Sequence, residues 1–173
     1  PTSLDVVQAH KGSVKISVTS KGRATHSSMG TGINSNHKLV PFLNDILAID
    51  HELKTNPKYL NNNFVPPHST LNMVIHGGEQ ASNITTPESG ATINFRAMPG
   101  QNLQPLFKKI RASAKKHGVQ ISIYDSLKPL DTPTDSRIVQ EALNITGKRK
   151  PKSVAYGTDG MIFGQNMELV VLG

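Results

Sequence analysis

The sequence predicts an α+β fold: a ferredoxin-like split βαβ unit, with a four-stranded antiparallel sheet and two helices on one face, followed by a partial α/β segment. Three observations predict it. Apolar and polar residues alternate along several short stretches, and two longer stretches carry apolar residues at spacings of three and four. Counted from Gly12, these fall in the order strand, helix, strand, strand, helix, strand.

Each element follows from its residues. Leu4, Val6 and Val7 give residues 3–11 the apolar centre of a strand, and Val14, Ile16 and Val18 alternate with Lys15, Ser17 and Thr19 to bury one face of the next. Residues 23–36, rich in Gly, Ser, Thr and Asn, have no period and read as a loop that ends where Asn36 can cap a helix. Over 37–53, Leu39, Val40, Leu43, Ile46, Leu47 and Leu53 are expected on one helical stripe. Asn61, Asn62, Asn63, Pro66 and Pro67 mark a linker before a strand over 70–76, which Gly77 and Gly78 close. Ala91, Ile93 and Phe95 form the inward side of another strand. A second helix over 103–117 turns Leu106, Phe107, Ile110 and Ala114 inward, with Gly118 placed for a left-handed cap. Val119, Ile121 and Ile123 make the last strand of the unit.

Beyond Leu130 the pattern changes to a helix over 135–146, a strand at 153–155, a Gly-rich turn at 157–160, a short helix and a strand over 168–172. With no strands left over to complete a parallel sheet, residues 131–173 read as part of a second domain. A chain that opens on Pro1 and stops at Gly173 directly after an apolar run is expected to be a piece of something longer.

Composition narrows the function. Without cysteine there is neither a disulfide framework nor a thiolate metal site, which fits a cytoplasmic location. The apolar run near Leu169 is far shorter than the roughly 20 residues that cross a bilayer, so no membrane partner is expected. The net charge of +7 raises the question of nucleic acid. Its lysines and arginines are scattered, however, with groups only at 148–152 and along the second helix, and read as solvated faces. A single-stranded RNA module of this topology would stack bases on exposed aromatics, but the central strands offer mainly Phe95, on the core side. The seven histidines show no paired spacing on a helix face; the closest approach to a ligand pair is His76-Gly77-Gly78-Glu79. His26 stands apart, set among small residues in a loop that lets an imidazole approach a ligand. Its neighbours Ser27 and Ser28 lack an orienting acid and are not read as nucleophiles.

Several runs, taken together, resemble acetylornithine deacetylase, succinyl-diaminopimelate desuccinylase and the aminoacylase-type zinc peptidases: His10-Lys11-Gly12, residues 22–28, Gly32-Ile33-Asn34, Ser69-Thr70-Leu71-Asn72 with His76-Gly77-Gly78, Ala81-Ser82-Asn83, Phe95-Arg96 and Met98-Pro99-Gly100. The opening Pro1-Thr2-Ser3 is similar to the continuation of that family's ligand-bearing signature, and Gly157-Thr158-Asp159-Gly160 is similar to the approach to its last ligand histidine. The resemblance implies a homodimeric amidohydrolase acting on small N-acyl amino acids. Two zinc ions, with cobalt or manganese able to replace them, would be held by ligands that lie outside this piece. It implies a division into 1–10, the end of a first catalytic segment; 11–129, a lid that dimerises; and 130–173, the start of a second catalytic segment. His26 would reach the partner subunit's site and steady the oxygen of the tetrahedral intermediate. Asn83 and Arg96 would hold the substrate carboxylate, and Gly157 and Thr158 would contact substrate. No metal ligand is expected in this piece, which alone should be inactive; the alternative reading is a stand-alone dimerisation module that pairs through an exposed sheet edge. Gly30, where many relatives carry proline, and Asp159-Gly160, where an acidic-alanine pair is common, favour a broad deacylase assignment over acetylornithine itself.

Overall fold

A computed structural model describes residues 3–77 and 81–173. Its larger sheet has the order β3-β4-β2-β5, formed by β2 (Ser13–Lys21), β3 (Thr70–Gly77), β4 (Glu88–Arg96) and β5 (Gln120–Leu127). Every pairing is antiparallel, with Ile16 opposite both Ile93 and Ile123. Helices α1 (Asn36–Thr55) and α2 (Gln104–His117) cover one face, so the split βαβ arrangement expected from the alternation is present. The strands are held to it by their inward residues: Val14, Ile16 and Val18 from β2 meet Ala91, Ile93 and Phe95 from β4 beneath the helices. Phe95 is buried there and offers no stacking surface. Gly118 takes φ 65°, the left-handed cap that ends α2, and its N–H bonds to the carbonyls of Ala114 and Lys115.

The first helix departs from its expected stripe. Its buried side chains are Leu39, Phe42, Leu43, Ile46, Ile49 and Leu53, while Val40 and Leu47 are 63% and 51% exposed. A step of seven residues puts those two on one face, turned away from the sheet. The helix begins at Asn36 after Ser35, and it is Asn34 Oδ1 that accepts the Asn36 N–H, at 2.9 Å.

A smaller sheet has the order β6-β1-β7, with β1 (Val7–His10), β6 (Leu130–Asp131) and β7 (Lys152–Val154). β1 pairs antiparallel with β6 but parallel with β7, so residues 131–173 do find a parallel partner at the start of the chain. The first strand is shorter than expected because Ser3 and Leu4 adopt φ of 52° and 59°, outside extended geometry. α3 (Arg137–Thr146) packs Val139, Ala142 and Leu143 against Val6. The strand expected over 168–172 reduces to one bridge, Val7 to Val171, with mutual main-chain bonds of 3.0 and 2.9 Å.

The connections between the two sheets run side by side. Gly12 donates its N–H to Ala97 O at 2.8 Å, and a Cβ on Gly12 would stand 2.5 Å from Leu127 O. Only a residue without a side chain lets the 10–13 and 127–130 segments touch there. Lys11, beside it, is fully buried, and its Nζ donates to His68 O at 2.6 Å and Pro66 O at 3.3 Å, which ties the polar linker to this corner.

Candidate active site

The expected site residues fall into two groups at opposite ends of the larger sheet. His26 follows the end of β2 and forms an isolated bridge with Ile84. Around it two loops are joined: Ser27 N donates to Asn83 O at 2.7 Å, Thr25 N to Thr85 Oγ1 at 2.8 Å and Thr85 N to Thr25 O at 2.9 Å. His26 and Asn83, 57 residues apart in sequence, are thereby brought together, and both are exposed. Periodicity gave no sign of this, since both loops lack a period.

The imidazole of His26 has a defined orientation. Its Nδ1 lies 2.7 Å from Ser28 Oγ and accepts the Ser28 main-chain N–H at 3.4 Å. A main-chain N–H can only donate, so Nδ1 carries the lone pair and Nε2 carries the proton. The ring therefore presents an N–H to solvent. Gly30, at φ 65°, closes the single 3-10 turn at 27–29 in a left-handed conformation. Proline could not adopt it, which explains locally why this loop lacks that residue.

Arg96 is not part of this group. It is the last residue of β4 and pairs with Thr70, whereas the His26 end of β4 begins at Glu88, opposite Lys21. Eight residue steps in an extended strand span roughly 26 Å, so Asn83 and Arg96 of one chain cannot grip one small carboxylate together.

Arg96 instead shares its end of the sheet with Gly157 and Thr158. Ala97 follows Arg96 and bonds to Gly12, and the 157–160 turn packs on the neighbouring corner, where Lys11 O lies 3.4 Å from a Cβ placed on Gly157. Thr158 Oγ1 lies 3.0 Å from His10 Nε2 and accepts Gly160 N–H at 3.1 Å. His10 is fully buried, and that burial lowers its pKa below the ordinary 6.5, so it is neutral at pH 7. Lys11 is also shifted down by burial. A cleft of about 520 Å³ opens nearby, lined by Met98, Gln101, Phe107, Leu127 and Lys128 among others.

Other polar clusters have structural roles. Asp45 of α1 accepts from Ser113 Oγ at 2.7 Å and His117 Nε2 at 3.0 Å, and these bonds, Ser113's foremost, hold its pKa low. Serine and histidine both point at the carboxylate and not at each other, so the trio ties α1 to α2 and relays no proton. In the basic loop, Lys148 and Lys152 bind Asp5 at 3.0 and 2.5 Å, which fastens the loop to the start of β1. Among the described residues no three His, Cys, Asp or Glu side chains come together as a metal site. Of the tract considered for a ligand pair, Gly78 and Glu79 lie outside the described residues.

Residues 8–122 match the family model described as the peptidase dimerisation domain, M20. Over its whole length the chain is 28% identical to an acetylornithine deacetylase from Erwinia tasmaniensis, and covers 46% of that protein. Over 84% of its length it is 30% identical to a probable succinyl-diaminopimelate desuccinylase from Staphylococcus epidermidis, covering 41% of it. The chain thus spans less than half the length of these relatives. Among solved structures it is similar to a tripeptidase from Staphylococcus aureus, with a TM-score of 0.68 at 19% identity over 97% of this chain and 44% of that one. It is also similar to an M20 family metallo-carboxypeptidase from Sulfolobus solfataricus, with a TM-score of 0.64 at 14% identity over 95% and 57%. These likenesses show the fold.

Proposed function

The chain belongs to the M20 peptidase dimerisation-domain family, and on that premise we propose that it is part of a homodimeric, zinc-dependent amidohydrolase that deacylates N-acyl amino acids or related peptide-like substrates. On this reading residues 11–129 are its lid, and 1–10 and 130–173 belong to its catalytic domain. Two zinc ions, or cobalt or manganese in their place, are proposed for the intact enzyme. Their ligands are proposed to lie outside this chain, whose own part is to bind and orient substrate; by itself it is expected to be inactive.

The observation that carries the reading is the separation of His26 and Asn83 from Arg96 along one sheet. Two chains can unite what one keeps apart. β3 is an edge strand, and on it Val74 and Ile75, which point to opposite faces of the sheet, are 55% and 64% exposed. An unpaired edge with apolar side chains is a template for another strand. If two copies of β3 pair antiparallel about a two-fold axis, strand direction reverses across the interface. The Gly77 end of one β3, next to His26 and Asn83, then lies beside the Thr70 end of the other, next to Arg96. Each composite site takes His26 and Asn83 from one protomer and Arg96, Gly157 and Thr158 from its partner.

In that site each residue has a task suited to its chemistry. His26, with its proton on Nε2, donates to the oxygen that gains charge in the tetrahedral intermediate. Arg96 offers the planar pair of N–H groups that matches a carboxylate. Asn83 adds an amide donor from the loop that also fixes His26.

Mixing variants tests the arrangement. His26→Ala and Arg96→Ala full-length enzymes are each expected to be inactive on N-acetylornithine. After subunit exchange their mixture should recover about a quarter of wild-type turnover, because half the dimers are mixed and each mixed dimer has one intact site of two. A mixture as inactive as its components would show that the residues do not meet across an interface. Sedimentation of the Val74→Lys, Leu47→Lys variant should give a monomer where the parent gives a dimer.

A further inference from the structure

One buried contact is unused by the reading above. His10 sits at the corner between β1 and β2, and its ring touches a loop that lies 148 residues later in the sequence. Its Nδ1 is 3.1 Å from Lys11 O and its Nε2 is 3.0 Å from Thr158 Oγ1. A carbonyl can only accept, so Nδ1 carries the proton and Nε2 carries the lone pair. The Thr158 hydroxyl must then donate to His10. That hydroxyl already accepts the Gly160 N–H at 3.1 Å, which leaves it one lone pair and no proton. Space is equally constrained, for a Cβ on Gly160 would stand 3.0 Å from His10 Nε2.

We propose that His10 is a positioning residue for the substrate loop at 157–160, and that it takes the Thr158 hydroxyl proton out of the substrate's reach. A substrate carboxylate finds no donor at that oxygen, so a carboxylate contact from this loop falls to its main-chain N–H groups. The oxygen itself can serve only a substrate N–H. Burial keeps His10 neutral and its Nε2 an acceptor, while the fully buried Lys11, bonded to the carbonyls of Pro66 and His68, pins the corner from which the ring projects. The proposal rests on Gly157 and Thr158 facing substrate, and the test separates the two ideas.

Nitrogen NMR of the histidine-labelled chain reads the tautomer directly. His10 should be protonated on Nδ1, with an Nε2 resonance that shifts in Thr158→Val. A proton on Nε2, or an Nε2 signal indifferent to Thr158→Val, would overturn the proposal. Kinetics of the full-length enzyme on N-acetylornithine read the consequence. His10→Asn, which retains a donor near Nδ1 but nothing at Nε2, should raise KM about tenfold with kcat little changed, the size of one lost hydrogen bond. His10→Gln, which reaches the Nε2 position, should restore most of it. The double variant His10→Asn, Thr158→Val should be no worse than Thr158→Val alone. Additive effects, or a loss in kcat with KM untouched, would show that His10 acts only on stability. If Thr158→Val leaves KM unchanged while the NMR contact is intact, it is the placement of substrate at this loop that fails.

Discussion

Around the larger sheet, eighteen buried side chains from β2, β4, both long helices and the turn at Tyr59, with Ala97 and Val119, form one continuous cluster. Around the smaller sheet, burial is divided into groups of four and three. Its surroundings leave Ile145 84% exposed, and Phe163 and Met167 more than half exposed. The larger unit therefore carries the means of its own stability, and the smaller one holds Gly157 and Thr158 on a frame that its own core does not close. Stability within one chain follows such differences in buried apolar contact. It follows that the two ends of the proposed composite site rest on unequal supports: His26 and Asn83 on loops fastened to a closed core, Thr158 on a turn fastened by His10.

The sharpest way to break this comparison is to cut into each core. Phe42→Ala removes a fully buried ring from the larger cluster and should cost about 4 kcal/mol. Val139→Ala, equally buried in the smaller group, should cost about 2 kcal/mol. Only the first is expected to lower the main denaturant midpoint seen by circular dichroism; the second should loosen α3 locally, as faster amide exchange there. Equal shifts of the main midpoint would mean that the two regions melt as one. At the junction between them, Gly12→Ala would press a methyl into the carbonyl of Leu127 and the nitrogen of Pro129, main-chain atoms 2.5 and 2.8 Å from the ideal Cβ. Overpacking of that kind costs about 2 kcal/mol, and a thermal midpoint unchanged by the substitution would refute the close crossing.

The same contrast decides what could be read from the residues. In the larger unit each strand has one wet and one dry face, and that chemistry is written into alternate positions, so β2, β4 and β5 were legible, as was the cap at Gly118. The stripe on α1 was legible only in part, because the helix has two apolar faces. Leu39, Phe42, Ile46, Ile49 and Leu53 meet the sheet, while Val40 and Leu47 face outward; spacing alone gives both faces the same signal. In the smaller unit, β6 has two residues and the 168–172 segment pairs only through Val171, too little for any period. For the proposed site, the sequence offers candidate residue types but not their places. Nothing local to Arg96 says that it lies a sheet's length from Asn83, and nothing local to His10 announces Thr158, since both facts are made by pairing between distant segments.

Acid provides the gentlest way to separate the two regions. Burial holds the His10 pKa below 6.5, so when pH falls through 6.5 the unfolded chain takes up a proton that the folded chain refuses. Unfolding is then favoured progressively, and the stability present above 6.5 is lost until the lower folded value is reached. Asp5 acts in the same direction, but only lower. Its bonds to Lys152 and Lys148 hold it below the ordinary 3.8, and that contribution disappears as pH falls through the folded value. Asp131, raised by burial, has the opposite sign and gains stability for the fold as pH falls toward 3.8. Between pH 7 and about 5.5, therefore, the unfolded form of His10 begins to titrate while Asp5 does not, and proton uptake by the folded Asp131 acts with the opposite sign. Amide protection of Ala9 and Val154, corrected for intrinsic exchange, should decline over that interval while that of Ile16 and Ile93 stays level, and His10→Gln should remove the difference. Were protection to decline equally in both sheets, or to persist in the glutamine variant, the imidazole at the corner would not be what couples the turn at Thr158 to the rest of the molecule.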